Sequence, residues 1–244
     1  YELKSTFKSC TNLSEIENLQ YCTKIGDESF YGCSLISIVE LSEKVSEIGS
    51  FSFYGCQLLH SVSFGNGLSE SMTIGSNAFK SCHSLISFEF NLWHTLSIGE
   101  SAFSDCPLSN QTQLEFGYSD ASNKITIMSH AFSSPSISTV VFASPIESLS
   151  LDSNSFSDCS GINCVIVDTK FEKEAKVAFD KKVINGDMCP GVPSKHNKKT
   201  ALIVGIVAGG VGLIVIIVVV VLVIKKKKQK PVEDIEKPIF STLQ

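Results

Sequence analysis

The sequence contains no arginine; all 20 of its basic residues are lysine. Fourteen of them fall in the first 200 residues against 22 Asp and Glu, leaving that region at minus 8. That balance excludes a nucleic-acid-binding region driven by basic charge. Also missing are a C-x-x-C pair, H-E-x-x-H, G-x-S-x-G and a Walker loop, and the five His (60, 83, 94, 130, 196) are scattered. No metal, cofactor or catalytic chemistry is therefore expected. His83 follows Cys82, but a nucleophilic pair there breaks the repeat described below, so His83 reads as a surface turn residue. The first twenty residues hold no apolar stretch and no initiating Met, so a secretory signal is expected to be either absent from this stretch or already removed. Charged residues make up only 18% and apolar ones 43%, which excludes a disordered chain.

Residues 201–224 are 24 consecutive Ala, Leu, Ile, Val and Gly. As a helix they reach roughly 36 Å, against a hydrocarbon core of about 30 Å. A single transmembrane helix is expected there. Six Lys and three acids follow it, so the tail at 225–244 is plus 3 and is expected in the cytosol, with the N-terminal region outside the plasma membrane. Gly205, Gly209 and Gly212 give the helix a small-residue face, which reads either as a pairing surface for a homodimer or as ordinary membrane glycine.

The rest of the chain repeats. An Ile-Gly-x-x-x-Phe-x-x-Cys unit recurs at Ile25, Gly26, Phe30, Cys33; Ile48, Gly49, Phe53, Cys56; Ile74, Gly75, Phe79, Cys82; and Ile98, Gly99, Phe103, Cys106. Degenerate copies add Phe7 and Cys10, Phe132 with Pro135 in the Cys position, and Phe156 with Cys159. The Phe spacings of 23, 23, 26, 24, 29 and 24 residues fall in the leucine-rich-repeat range. Beyond each Cys come apolar residues in a strand-like alternation, such as Val39 and Leu41, Val62 and Phe64, Phe88 and Phe90. After Cys106 this pattern is displaced by two residues, to Leu114 and Phe116.

A unit of about 24 residues cannot bury its own apolar face, so seven stacked units over residues 1–169 should share one core. The expected fold is a curved leucine-rich repeat solenoid, with a parallel β-sheet on the concave face and short returns on the convex side, followed by the membrane helix. Glycine in the return is expected to serve a turn. Residues 170–184 place Phe171, Ala175, Ala178, Phe179 and Val183 at helical spacing, a capping helix. Residues 185–200, with Gly186, Pro190, Gly191 and Pro193, read as a juxtamembrane stalk.

The Ile-Gly-x-x-x-Phe-x-x-Cys half followed by Leu-x-x-Val-x-Phe resembles the BspA-like leucine-rich repeat family, over about 165 of 244 residues. Its members are surface proteins of bacteria and mucosal protists. The resemblance implies extracellular adhesion, with host or other extracellular proteins or glycans as partners. Pro135 and the insertion at 117–124 depart from the pattern.

Six Cys (10, 33, 56, 82, 106, 159) share one repeat position and should form a buried column of thiols rather than bridges. Cys164, on the solvent side of the last strand, and Cys189 form a candidate disulfide, and Cys22 stays unpaired. Asn12 and Asn110 stand in N-glycosylation triplets. Between the last two apolar positions of each strand lie Glu17, Glu40, Ser63, Glu89, Glu115, Val141 and Ile166. Pointing outward, this column reads as a solvated face or as an acidic strip for a basic partner. Trp93 is either an exposed anchor at the concave rim or buried beneath a loop. The candidate ligand contacts are Glu40, His60, Glu89, Trp93 and Glu115. Two other readings remain: a receptor signalling through tail residues such as Ser241 or Thr242, and a tail-anchored scaffold facing the cytosol, with reduced Cys.

Overall fold

The computed structural model describes residues 2–189 except 4, 18, 66–68, 110–112, 118–121, 134–136, 158, 180–182 and 185–188. The expected membrane span, the tail, most of the stalk, Pro135, Asn110, Gly205, Gly209 and Gly212 lie outside the described residues. Among the described residues no helix is long and apolar enough to cross a membrane.

The described chain is a parallel β-solenoid, and every strand pair in it is parallel. Its longest sheet is built from the Ile-Gly half of the repeat: β1 (Glu2–Leu3), β2 (Lys24–Ile25), β4 (Glu47–Ile48), β6 (Ser69–Ile74), β7 (Trp93–Ile98), β10 (Asn123–Ile127) and β13 (Ile146–Leu151). The post-Cys half supplies β3 (Ile38–Leu41) and β5 (Ser61–Phe64) in one sheet. A second sheet holds β9 (Gln113–Phe116), β12 (Thr139–Phe142), β14 (Cys164–Ile166) and β15 (Val183–Ile184). A short pair, β8 (Phe103–Ser104) with β11 (Phe132–Ser133), lies along the Phe turns.

The weights of the two faces are thus the reverse of the expectation. The returns carry seven continuous strands, because successive isoleucines pair in register, Ile25 with Ile48, Ile48 with Ile74 and Ile74 with Ile98. β-branched residues favour such ladders. The post-Cys face is interrupted at 85–90, where only an isolated Ser61 to Ser87 bridge forms. The next unit reaches its strand two residues late, so one segment cannot keep ladder register with both neighbours.

The core is a file of phenylalanines. Phe7, Phe30, Phe53, Phe79, Phe103, Phe132 and Phe156 stack face to face at centroid spacings of 5.0 to 5.4 Å. Phe179, from the helix α1 (Glu172–Phe179), stacks on Phe156 at 4.5 Å and closes the file. The capping helix therefore exists but is shorter than 170–184. Residues Thr169–Phe171 form a 3-10 turn, and Val183, expected on the helix, lies instead in β15, which extends the ladder beside β14.

The thiol column is a hydrogen-bond ladder. Each Sγ donates to the carbonyl of the Phe one unit back: Cys33 to Phe7 (2.9 Å), Cys56 to Phe30 (3.2 Å), Cys82 to Phe53 (3.1 Å), Cys106 to Phe79 (3.0 Å) and Cys159 to Phe132 (3.3 Å). Burial pushes the Cys56 thiol up to about 12, and it raises Cys33 and Cys82 as well. Cys10 departs from the expected burial and is exposed, because its unit has no described repeat on the outer side.

Glycine serves close approach rather than a turn. A Cβ on Gly75 would lie 2.5 Å from the backbone N of Ser50, and one on Gly49 2.5 Å from that of Asp27. The left-handed positions lie elsewhere. Glu28, Phe51, Asn77, Ser101 and His130, each two residues before the column Phe, have φ of 53 to 58°.

Candidate functional site

The proposed ligand face is the post-Cys side. Its column register follows from the ladder: Glu40 pairs with Ser63, and Val141 lies between Glu115 and Ile166. Glu89 joins through the backbone, since Gly117 N–H donates to the Phe90 carbonyl, which sets 89 beside 115. Glu40 and Glu89 are exposed. Glu115 is half-buried, and that desolvation raises its carboxyl above the usual value. His60 is exposed just before β5, its backbone N–H bonded to the Ser37 carbonyl.

Trp93 does not belong to this face. It is the first residue of β7 on the opposite sheet, is only 2% exposed, and sets its ring edge-on to Phe64 at 4.8 Å. It fills the core where Phe64 is only half covered, so the surface-anchor reading is corrected. Trp93 is out of phase with the buried Leu96 and Ile98 of its own strand, so strand alternation gave no signal for its burial.

Cys164 and Cys189 are joined by a disulfide across 5.5 Å between Cα atoms. Cys164 alternates with the core residue Val165 and so lies on the outer side of β14, where Cys189 covers it and leaves it buried. Asn12 is exposed in a turn. Among the described residues no His, Cys, Asp and Glu group could hold a metal ion. A cavity of about 420 Å³ opens at the Phe7 end, lined by Leu3, Leu13, Ile16, Leu19 and Tyr21; it is the outer flank of the core file.

Two features escaped sequence reasoning. Asn123 is fully buried, and its amide donates to the Ala143 and Pro145 carbonyls at 2.9 and 3.0 Å, fixing the insertion at the start of β10. A lone Asn in a polar stretch gives no sequence signal for this. An aromatic cluster of Tyr31, Phe51 and Tyr54 lies on the Phe turns, Tyr31 and Tyr54 stacked at 5.0 Å. Tyr31 and Tyr54, each directly after a column Phe, were the signal that could have found it; Phe51, two residues before one, gave none.

The family comparison agrees with this repeat architecture. The BspA type leucine rich repeat region, of six copies, matches residues 3–115 and 72–186. A leucine rich cell surface protein from Faecalibacterium prausnitzii is similar at 19% identity and a TM-score of 0.40, covering 63% of this chain and 45% of that one. A leucine-rich repeat protein from Bacteroides ovatus is similar at 20% identity and a TM-score of 0.35, covering 67% and 57%. This chain thus spans about half the length of those two proteins. No curated protein matches. With the family pattern covering most of its length, the chain belongs to the BspA type leucine-rich repeat family.

Proposed function

We propose that this chain is a cell-surface binding or adhesion protein, acting by contact rather than catalysis, held in the plasma membrane by residues 201–224. Family membership carries the reading, since the matched repeats form nearly all of the described chain. The Cys164–Cys189 bridge supports an oxidising, extracellular setting, because disulfides persist outside the reducing cytosol. The acidic column suits a basic extracellular or host-cell protein: Glu40, Glu89 and Glu115 share one column on one face, and their field steers cationic partners.

The test uses cells expressing the full chain with a tag after Gln244. External protease should leave a tagged fragment of about 5 kDa, the span plus tail at about 110 Da per residue. A chain cut only after permeabilisation overturns surface exposure and favours the cytosolic scaffold. For the column, the purified full chain is titrated with a fluorescent decalysine peptide. Reversing Glu89 and Glu115 to Lys should weaken binding about tenfold or more at 50 mM salt. Equal affinity removes the column as the site.

A further inference from the structure

The Phe turns carry a residue that costs the solenoid twice. Phe51 sits at φ 56°, a left-handed conformation that bulky side chains avoid, and it is 37% exposed. At the same position the neighbouring units place Glu28, Asn77, Ser101 and His130, all polar. Asn reaches this conformation more readily, and an exposed polar side chain leaves no apolar ring in water. Phe51 contributes nothing to the core file. Backbone strain retained with an exposed aromatic ring points to a contact outside the fold.

Its surroundings identify the class of contact. Phe51 meets the Tyr54 ring at 5.9 Å with 47° between planes, so the two rings form the walls of a shallow angle. Tyr54 in turn stacks on Tyr31 at 5.0 Å, and the Lys8 ammonium lies 5.2 Å from the Tyr31 centroid. The backbone ladder places polar groups on both sides: Phe51 N–H donates to Ser76, next to Asn77, and Gly55 N–H donates to Lys80. The turn of the next unit, paired to this one through its backbone, therefore carries Asn77 and Lys80, and on the unit before it the Glu28 carboxylate accepts from Lys8.

A stable protein interface needs about 800 Å² per partner. Three rings, two of them half-buried, offer far less. A pyranose matches both parts of this site, with an apolar face of ring C–H groups for the aromatics and hydroxyls on its rim for Asn77 and Lys80. We infer that Phe51 and Tyr54 form a saccharide-stacking platform that binds one pyranose ring of an extracellular glycan. The inference rests on the binding role proposed above but not on the acidic column, which lies on the other side of the repeat.

Saturation-transfer NMR on the purified full chain, in detergent because of residues 201–224, with lactose, cellobiose and chitobiose as separate probes, tests it. At least one disaccharide should show saturation concentrated on the C–H protons of one ring face. Phe51→Asn, which installs the residue of the next unit, should weaken that binding at least tenfold and raise Tm by about 2–4 °C. No saturation with any of the three sugars overturns the inference, as does unchanged binding or a lower Tm in Phe51→Asn. Sugar binding in a chain that ignores decalysine supports the platform and removes only the acidic column.

Discussion

At the residue scale, the column of small residues before each Phe shows how one hydroxyl can stabilise or destabilise the same position. Ser29 Oγ donates to the Leu3 and Gly26 carbonyls, and Ser155 Oγ to those of Ile127 and Asp152. Ser52 is equally buried, yet its Oγ has no partner. Ala78, Ala102 and Ala131 fill this position in other units. Ser52→Ala should therefore stabilise by about 1 kcal/mol and Ser29→Ala destabilise by about 1 kcal/mol, read from denaturant midpoints. The same sign for both would show that the hydroxyl contacts do not decide. The thiols give a pH dependence. Buried Cys33, Cys56 and Cys82 keep their protons above the ordinary value of 9.0, whereas unfolded thiols lose theirs. Unfolding then releases protons, so this contribution is intact below pH 9 and is lost as pH rises toward 12. Each such thiol steepens the decline by at most about 1.4 kcal/mol per pH unit, the limit for one proton released on unfolding. Stability measured from pH 8 to 10.5 should fall less steeply in Cys56→Ala; an identical slope refutes the assignment. Which residues recur was legible in the sequence, but why glycine recurs was not. The missing Cβ at Gly49 and Gly75 answers to the backbone of the preceding unit, a contact between residues more than twenty apart that spacing alone does not reveal.

At the element scale, α1 acts through one ring. Phe179 stacks on Phe156 and stands edge-on to Phe142 at 6.3 Å, so it covers the last ring of the Phe file and also packs on the end of β12 in the post-Cys sheet. Ala175 and Ala178 bring the helix close, while Val177 points to water. Phe179→Ala should cost about 3–5 kcal/mol and, because each unit is stabilised mainly by its neighbours, should speed amide exchange in β13 and β14 more than in β2 and β4. Uniform acceleration would indicate a single cooperative solenoid. The helix was readable from Phe171, Ala175, Ala178 and Phe179. Its end was not, because Val183 fits a helical period and a ladder equally well, and pairing of Cys164 with Val183 decides for the strand. The displaced apolar pattern after Cys106 was visible too, but its effect, the broken ladder at 85–90, depends on register between units.

At the scale of the whole molecule, the repeat, its approximate extent and the family were legible because stacking turns a local period into a global core. A candidate binding face was less so, because repeat positions reveal which side chains are buried and leave exposed ones without rank; Trp93 shows the error this produces. The disulfide has a mechanical meaning. Cys164 and Cys189 close a 25-residue loop that contains α1 and β15. Tension arriving along the chain from beyond residue 189 crosses the sulfur bridge and enters the sheet at β14, bypassing every residue of the cap. Helix and terminal strand hang slack beside the load path, and the ring that plugs the Phe file stays seated while the solenoid is pulled.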